Sequence, residues 1–363
     1  MVKAMEIDFL PVGKGESSGD AIAIRWLEGD QYKVLIYDGG TKDYGKELVD
    51  HVKEHYHTTH VDYVVNSHPD NDHAGGLLYV LDNMSVGELW MHRPWIHSAL
   101  IRDYFHDGRM TDESLARRLQ EKMSAAYALE EAAERHGIEI KEPFAGERIG
   151  VFTVLSPTRS RYIDELVPEF QKSPELKEVA AAVESFFDKA VDKAVEVIGK
   201  AVARWDMEFL PENVETTAEN ESSAILFAKF DKRGVLLTGD AGIKSLRAAA
   251  EFATSMGYDL PSQVTFVQVP HHGGRHNVST ETLDLIVGKP LANRPENPER
   301  SAYVSAAKLA PTHPKRVVTN AFIRRGFKVA QTKGQAICHH FGSVKRPGWS
   351  ALTYLPFYDE LDD

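Results

Sequence analysis

The chain has 363 residues, of which 42% are hydrophobic and 26% charged, and a formal net charge of −12. These values are typical of a globular protein with a large core, and the acidic balance argues against a surface built to bind nucleic acid everywhere. No stretch approaches the roughly 18 uncharged apolar residues of a membrane span, and the single cysteine, Cys338, excludes an internal disulfide. The sequence therefore predicts a cytoplasmic protein without membrane contact, long enough for one large domain or two of ordinary size.

The basic residues are concentrated near the carboxyl end of the chain. Between Ser301 and Tyr358 there are nine lysines and arginines and no acidic residue. This segment either binds an anionic substrate or balances acids elsewhere in the fold. The aromatic residues interspersed with it are Phe322, Phe327, Phe341 and Trp349. They are consistent with stacking on the bases of single-stranded nucleic acid, although half of them are expected in the core.

Taken in order, the first part of the chain alternates apolar strands with turns and helices. Residues 5–26 indicate two strands around a glycine-rich turn. Further strands are predicted at 34–37, 61–65, 88–92 and within 138–155, with helices over 46–57 and 77–83. Two helical pieces, 111–136 and 173–205, interrupt this pattern and predict insertions at about 97–140 and 158–219. The insertions are candidates for a lid, a wall of a substrate pocket or an oligomer contact.

The second part returns to strands, at 223–230, 234–237, 264–269 and 302–305, with a helix over 242–256. Chemically active residues follow strands throughout the chain. They are Asp38, the 68–73 cluster, Asp240, the pair His271 and His272, and His313. Strand ends on one side of a sheet converge in space, so residues far apart in sequence can meet there. This shared placement predicts one site at one edge of the fold.

The densest group is the stretch Ser67-His-Pro-Asp-Asn-Asp-His-Ala-Gly-Gly76, which directly follows a predicted buried strand. Imidazole and carboxylate ligands together suit Zn²⁺, Mn²⁺ or iron. Gly75 and Gly76 let the backbone pass close to its neighbours. We therefore interpret this stretch as part of a metal site.

These residues resemble the metallo-β-lactamase superfamily, whose signature His-x-His-x-Asp-His follows a strand and is completed by a later Asp and a final His. The resemblance implies an α/β fold, a four-layer αββα metallo-β-lactamase sandwich with helical insertions, as a single domain over residues 1–363. It also implies a dinuclear metal site on one edge. Here Asp70 stands where the signature has its second His.

With Asp at this position, the sequence resembles a narrower group, the hydrolase domain of the DNA-uptake competence protein ComEC and its stand-alone homologues. Similar segments are found at 9–22, 67–77, 220–223, 236–240 and 269–273. The chain departs from the group in lacking membrane segments, in lacking an evident third His ligand before Asp240, and in having Gly274 where Ser is usual.

The resemblance implies two divalent ions, Mn²⁺ or Zn²⁺. The first has His68, Asp70 and His271 as expected ligands; the second has Asp72, His73 and His272, with Asp240 between the two ions. The assignment of His271 and His272 to one ion or the other stays open at this point. Because Asp70 adds a hard oxygen ligand, we expect a preference for Mn²⁺ over Zn²⁺.

The remaining candidates have supporting or catalytic roles. Asp72 is expected to orient the attacking water, with His272 also counted among the catalytic residues. Asp38 is expected to support a ligand, and His313 to donate a proton to the leaving group. Candidates for binding substrate are Asn220, Ser222, Ser223 and Arg316.

The function most consistent with these features is a metal-dependent phosphodiesterase or nuclease. The expected partner is a phosphodiester, with nucleic acid among the candidates. One alternative is a hydrolase of a small ester, lactone or cyclic nucleotide, enclosed by the insertions, which also leave room for oligomer contacts. A second is a non-catalytic binding protein on the same fold. The apparently complete ligand set argues against that last interpretation.

Overall fold

A computed structural model describes residues 2–105, 109–174, 203–342, 344 and 346–361. Most of the predicted 173–205 helix, residues 175–202, lies outside these described residues, as does Lys345 of the basic segment. The strands of the described residues are, in chain order, β1 (Val2–Phe9), β2 (Ala21–Glu28), β3 (Gln31–Gly39), β4 (His60–Val65), β5 (Ser85–Trp90), β6 (Glu139–Lys141), β7 (Arg148–Ile149), β8 (Phe152–Ser156), β9 (Ile225–Phe230), β10 (Arg233–Leu237), β11 (Val264–Gln268), β12 (Arg300–Val304), β13 (Phe327–Gln331) and β14 (Ile337–Phe341).

The strands form two sheets of seven. The first has the order β14-β1-β2-β3-β4-β5-β6 and the second the order β13-β12-β11-β10-β9-β8-β7. In the first sheet β3, β4, β5 and β6 pair in parallel, and in the second β10, β11, β12 and β13 do so. The remaining pairs are antiparallel.

Helices cover the outer face of each sheet. The α-helices of the described residues are Gly45–His51, Asn71–Ala74, Leu77–Asn83, Ser98–Ile101, Asp112–Lys122, Ser124–His136, Val167–Glu169, Ala218–Glu221, Ile243–Ser255, Leu260–Gln263, Thr280–Val287 and Arg316–Arg324. None of these helices is long and apolar enough to cross a membrane.

Three apolar layers hold the sheets and helices together. Large rings such as Trp26, Phe152 and Phe266 fill the space between the two sheets. A second layer packs helices on the outside of the first sheet, and a third packs helices on the outside of the second. Each sheet thus buries apolar side chains on both faces. The predicted four-layer αββα arrangement is confirmed.

The first predicted insertion is built into one of these layers. Helices Asp112–Lys122 and Ser124–His136 share their apolar core with helix Leu77–Asn83 on the outside of the first sheet. Thr111 caps the first of them by accepting the N–H of Ser114, as favoured at helix starts. In the second insertion, the described residues form a helical turn at Arg161–Leu166 and the short helix Val167–Glu169.

The basic carboxyl-terminal segment places two of its arginines, Arg325 and Arg346, in buried ion pairs. Arg325 is fully buried and donates to Glu208 (2.6 Å) and Asp284 (2.7 Å). Arg346 reaches back to β1, where it donates to Glu6 (2.8 Å) and Asp8 (2.5 Å). These arginines balance acids elsewhere in the fold, which was one of the two interpretations of the segment.

Two of the four interspersed aromatic residues, Phe322 and Phe327, lie in the core and contact each other edge to face. Half of the aromatic residues were expected there. Trp349 contacts the rings of His51 and His55 instead.

Candidate metal centre

The turn after β4 is held against the end of β3 by close backbone packing. Gly76 lies so near β3 that a Cβ atom there would be 2.0 Å from the carbonyl oxygen of Gly39. Only glycine fits this approach, which explains the Gly75-Gly76 pair. The packing places the 67–73 segment beside Asp38, the buried residue near the end of β3.

Asp240, in the turn after β10, is the centre of the site. Its Oδ2 atom is approached by four imidazole Nε2 atoms: those of His73 (3.4 Å), His271 (3.7 Å), His68 (3.9 Å) and His272 (3.9 Å). Two ligands of one tetrahedral ion, each about 2.1 Å from it, are about 3.4 Å apart. The spacing around Asp240 therefore fits ligands that share metal ions.

The rings of His68 and His73 are held in place by hydrogen bonds from Nδ1, the ring nitrogen that faces away from Asp240. His73 donates from Nδ1 to Asp38 (2.8 Å), and Asp38 also accepts the hydroxyl of Ser67 (2.6 Å). Because that hydroxyl donates to Asp38, it accepts from His68 Nδ1, 3.0 Å away. Both rings consequently direct Nε2, the nitrogen that a metal ion would bind, towards Asp240, the arrangement typical of metal-ligating histidines.

The two adjacent histidines after β11 are fixed in the same manner. His271 Nδ1 donates to the Asn277 side chain (2.7 Å), which itself donates to the Asp240 carbonyl (2.9 Å). His272 Nδ1 donates to the Ser305 carbonyl (3.1 Å). Both histidines have left-handed backbone conformations, with φ values of 47° and 56°. Such strain is concentrated at functional sites, and here it turns two neighbouring side chains towards one carboxylate.

The donor set has the chemistry of a cation site. The Nε2 atoms of His68, His73 and His272 and the Oδ1 atom of Asp240 are buried without a hydrogen-bond partner among the described residues. Burial alone would lower the pKa of His73, but the carboxylates around it, Asp240 first, raise it well above its usual value. Burial alone would likewise raise the pKa of Asp240, yet the surrounding rings hold it well below its usual range. The residues present therefore fit divalent metal ions.

The ligand atoms form two overlapping groups that share His73. The ligand atoms of Asp72, His73 and His272 lie within 4.8 Å of one another, as do those of His68, His73 and Asp240. His272 Nε2 is 3.9 Å from Asp72, which places His272 on the Asp72 side. On the other side, Asp70 Oδ2 is 3.6 Å from His68 Nε2, and the second Asp70 oxygen forms an ion pair with Lys172.

His313 follows β12 and lies in a turn beside this centre. Its neighbour Pro314 packs against Gly273, and Lys315 donates its backbone N–H to the Gly273 carbonyl (3.1 Å). Burial, and next the charge of His271, lower the pKa of His313 to about 4. The His313 ring is therefore neutral at pH 7.

The predicted substrate-binding residues have protein partners. The hydroxyl of Ser223 accepts the backbone N–H of Asp240 (3.1 Å), and the hydroxyl of Ser222 donates to the Glu219 carbonyl (2.6 Å). Asn220 donates to Thr216 (2.9 Å). These contacts give Ser222 and Ser223 positioning roles. Contact of Asn220, Ser222 and Ser223 with substrate stays a prediction.

Arg316 begins helix Arg316–Arg324 and is directed to the carboxyl-terminal segment. It donates to the Glu360 carbonyl (3.1 Å), and its guanidinium lies 5.0 Å from the ring centroid of Tyr358. Its predicted contact with substrate stays a prediction.

Asp20 is a site residue that the sequence reasoning missed. It is buried, lies 4.0 Å from His73 Nδ1 and accepts the amide of Gln268 (2.9 Å). Burial, together with the charges of Asp240 and Asp38, raises its pKa to about 7. Because β2 runs antiparallel to β3, the start of β2 lies at the edge where β3 ends. An acidic residue directly before an antiparallel strand was the signal that could have identified it.

The comparisons with known proteins agree with this class of fold. Residues 16–155 match the family model described as the metallo-beta-lactamase superfamily. The match includes Asp20, Asp38 and the 68–73 cluster, and it ends before Asp240. No curated protein matches the sequence.

Several solved structures are similar to the chain at low identity. The metallo-beta-lactamase fold protein YhfI from Bacillus subtilis has 9% identity and a TM-score of 0.40, with 93% of this chain and 100% of that one covered. The metallo-beta-lactamase SMB-1 bound to 2-mercaptoethanesulfonate has 8% identity and a TM-score of 0.31, covering 74% and 80%. A variant of the CmlA beta-hydroxylase has 11% identity and a TM-score of 0.36, covering 93% and 54%.

The observed architecture and the family match over residues 16–155 agree on the class of fold. The chain has the four-layer fold of the metallo-beta-lactamase superfamily, whose members are mostly metal-dependent hydrolases. Its clustered His and Asp side chains are groups that could hold a metal ion.

Proposed function

We propose that the protein is a metal-dependent phosphodiesterase or nuclease of the competence-type hydrolase group. The observation that carries the proposal is the approach of four imidazole Nε2 atoms to the single oxygen Asp240 Oδ2. Two divalent ions bound among these ligands would supply an activated hydroxide and neutralise charge on a phosphoryl group.

The ligand set supports a phosphodiester substrate. Asp70, Asp72 and Asp240 contribute three carboxylates, and oxygen ligands favour the hard ions that commonly assist phosphoryl transfer.

Three further roles belong to Asp72, His313 and Asp38. Asp72, whose side chain is 38% exposed, is the accessible carboxylate that orients the attacking water. His313 faces the leaving group, and because its ring is neutral at pH 7 it donates a hydrogen bond rather than acting as a strong acid. Asp38 keeps the His73 ring in the tautomer that a metal ligand needs.

The second candidate is a hydrolase of a small ester, lactone or cyclic nucleotide. The observation that favours it is the position of Lys172, since this residue of the second insertion contacts the candidate metal ligand Asp70. Binding of a polymer weakens steeply with added salt, whereas binding of a small substrate is less sensitive.

The test is a substrate panel with Mn²⁺ and Zn²⁺ in turn. The panel contains single- and double-stranded DNA, RNA, cyclic nucleotides, a bis-aryl phosphodiester, a lactone and a β-lactam. We expect hydrolysis of phosphodiesters that Asp72→Ala abolishes and that Asp62→Ala, a change in an ion pair on β4, leaves intact. Hydrolysis confined to the lactone or β-lactam would overturn the proposal.

A further inference from the structure

The carboxylate of Asp70 has two different partners. Lys172 Nζ forms an ion pair with Oδ1, while Oδ2 lies 3.6 Å from His68 Nε2. That second distance is close to the separation of about 3.4 Å expected of two ligands on one tetrahedral ion. One oxygen is therefore occupied by the protein, and the other is directed to the position of a metal ligand.

We propose that Lys172 is the positioning residue of Asp70, holding one oxygen so that the other is presented to a metal ion. The inference rests on the metal centre of the proposed function and not on its substrate. It assigns to the second insertion a direct part in building the centre.

The other ligands have equivalent partners. His73 is held by Asp38, His68 by Ser67, His271 by Asn277 and His272 by the carbonyl of Ser305. Residues that orient metal ligands typically contribute 10–100-fold to metal affinity. Lys172 completes this set for Asp70, a ligand whose side chain is 32% exposed and has less packing to hold it.

Lys172 is itself anchored on the protein. Its backbone N–H donates to the carboxylate of Glu219 (3.2 Å), a buried residue of helix Ala218–Glu221. The hydroxyl of the following Ser173 donates to the Val167 carbonyl (2.7 Å). These bonds fix the backbone from which the ammonium extends, so its contact with Asp70 is built into the fold.

Charge balance supports the same role. An aspartate adds a negative charge to a centre that already contains Asp38, Asp72 and Asp240. The ammonium of Lys172 cancels that added charge, so the Asp70–Lys172 pair has the net charge of a neutral imidazole. We therefore expect Lys172 to become dispensable when Asp70 is replaced by histidine.

The test measures Mn²⁺ stoichiometry and affinity by equilibrium dialysis with elemental analysis. The variants are Lys172→Met, Lys172→Arg, Asp70→His and the double variant Asp70→His/Lys172→Met. Lys244→Met is the matched control, because Lys244 forms an exposed ion pair with Glu215 (2.7 Å). Thermal unfolding of each variant verifies that it is folded.

We expect Lys172→Met to weaken binding of one of two ions by about 10–100-fold. Lys172→Arg should largely retain both ions, and Lys244→Met should equal wild type. In the Asp70→His background, adding Lys172→Met should not weaken binding, because the ammonium no longer has a carboxylate to hold. Wild-type or tighter binding of both ions by Lys172→Met would overturn the inference alone, whereas a wild-type protein that binds no divalent ion would overturn the proposed function as well.

Discussion

The Nε2 atom of His73 lies 3.4 Å from the Oδ2 atom of Asp240, and this buried pair joins the two sheets at one edge of the molecule. His73 belongs to the turn after β4 of the first sheet, and Asp240 to the turn after β10 of the second. The metal centre therefore requires both halves of the sandwich. Neither half holds a complete ligand set by itself.

Asp240→Asn tests the central carboxylate while preserving its shape. We expect activity to fall on the order of 100-fold or more, because the amide carries no charge to place between two ions. Metal content should fall with it, as measured by elemental analysis after dialysis. The control is Asp206→Asn, which changes an exposed ion pair with Arg204. A variant with wild-type metal content and turnover would refute the role of Asp240.

Asp38→Asn tests the orientation of His73. Asp38 accepts three hydrogen bonds, from His73 Nδ1 and from the backbone and hydroxyl of Ser67, and an amide cannot accept all of them. We expect metal affinity to fall about 10–100-fold. Asp62→Asn is a matched control, since Asp62 accepts from Lys33 and the Val34 N–H on β3. Equal effects of the two substitutions on metal affinity would show that Asp38 has only a structural role.

Metal replacement tests the consequence of Asp70. Because three of the ligands supply carboxylate oxygen, Mn²⁺ should restore more activity than Zn²⁺ to metal-stripped protein. The measurement is turnover of the best phosphodiester after addition of each ion. Asp70→His should shift the preference towards Zn²⁺. Strong activity with Zn²⁺ alone in wild type would contradict this expectation.

Acid should weaken the anchoring of the carboxyl-terminal segment to β1. Burial alone would raise the pKa of Asp8, but the hydrogen bond and charge of His51 and the charge of Arg346 hold it below its usual value. A lowered folded-state pKa contributes stability above the unfolded pKa of about 3.9, and this is lost as the pH falls through the folded value.

The variant for this test is Asp8→Asn. At pH 7 it should lower the free energy of unfolding on the order of 3 kcal/mol, because it breaks a buried ion pair. The difference from wild type should shrink as the pH falls below about 4. Denaturant unfolding between pH 7 and pH 3 measures it, and a difference independent of pH would show that ionisation of Asp8 is not the cause.

Much of the fold could be predicted because its strands are apolar runs ended by polar turns. The placement of Asp38, the 68–73 cluster, Asp240 and the 271–272 pair after strand ends led directly to one edge of the sandwich. That reasoning works because the carboxyl ends of parallel strands share an edge. Asp20 was missed because it precedes β2, which runs antiparallel to β3. The start of β2, and not its end, therefore lies at the edge that contains the site.

Lys172 could not be found from its neighbours in sequence. Nothing near it resembles a metal motif, and its contact with Asp70 depends on how Glu219 anchors the insertion. The basic carboxyl-terminal segment was also difficult to interpret from sequence. Arg325 and Arg346 are typical of a charged surface in sequence, but they form buried ion pairs in the structure. The composition of a segment gives its net charge, but whether each charged side chain is buried or exposed depends on how the chain packs.

The most direct test of the centre is anomalous scattering from crystals of the wild-type protein grown with Mn²⁺. We predict two anomalous peaks flanking Asp240 Oδ2. One lies among Asp72, His73 and His272, and the other lies beside His68, Asp70 and His271. Absence of any peak within coordination distance of Asp240, in crystals whose protein is folded as described, would contradict the account.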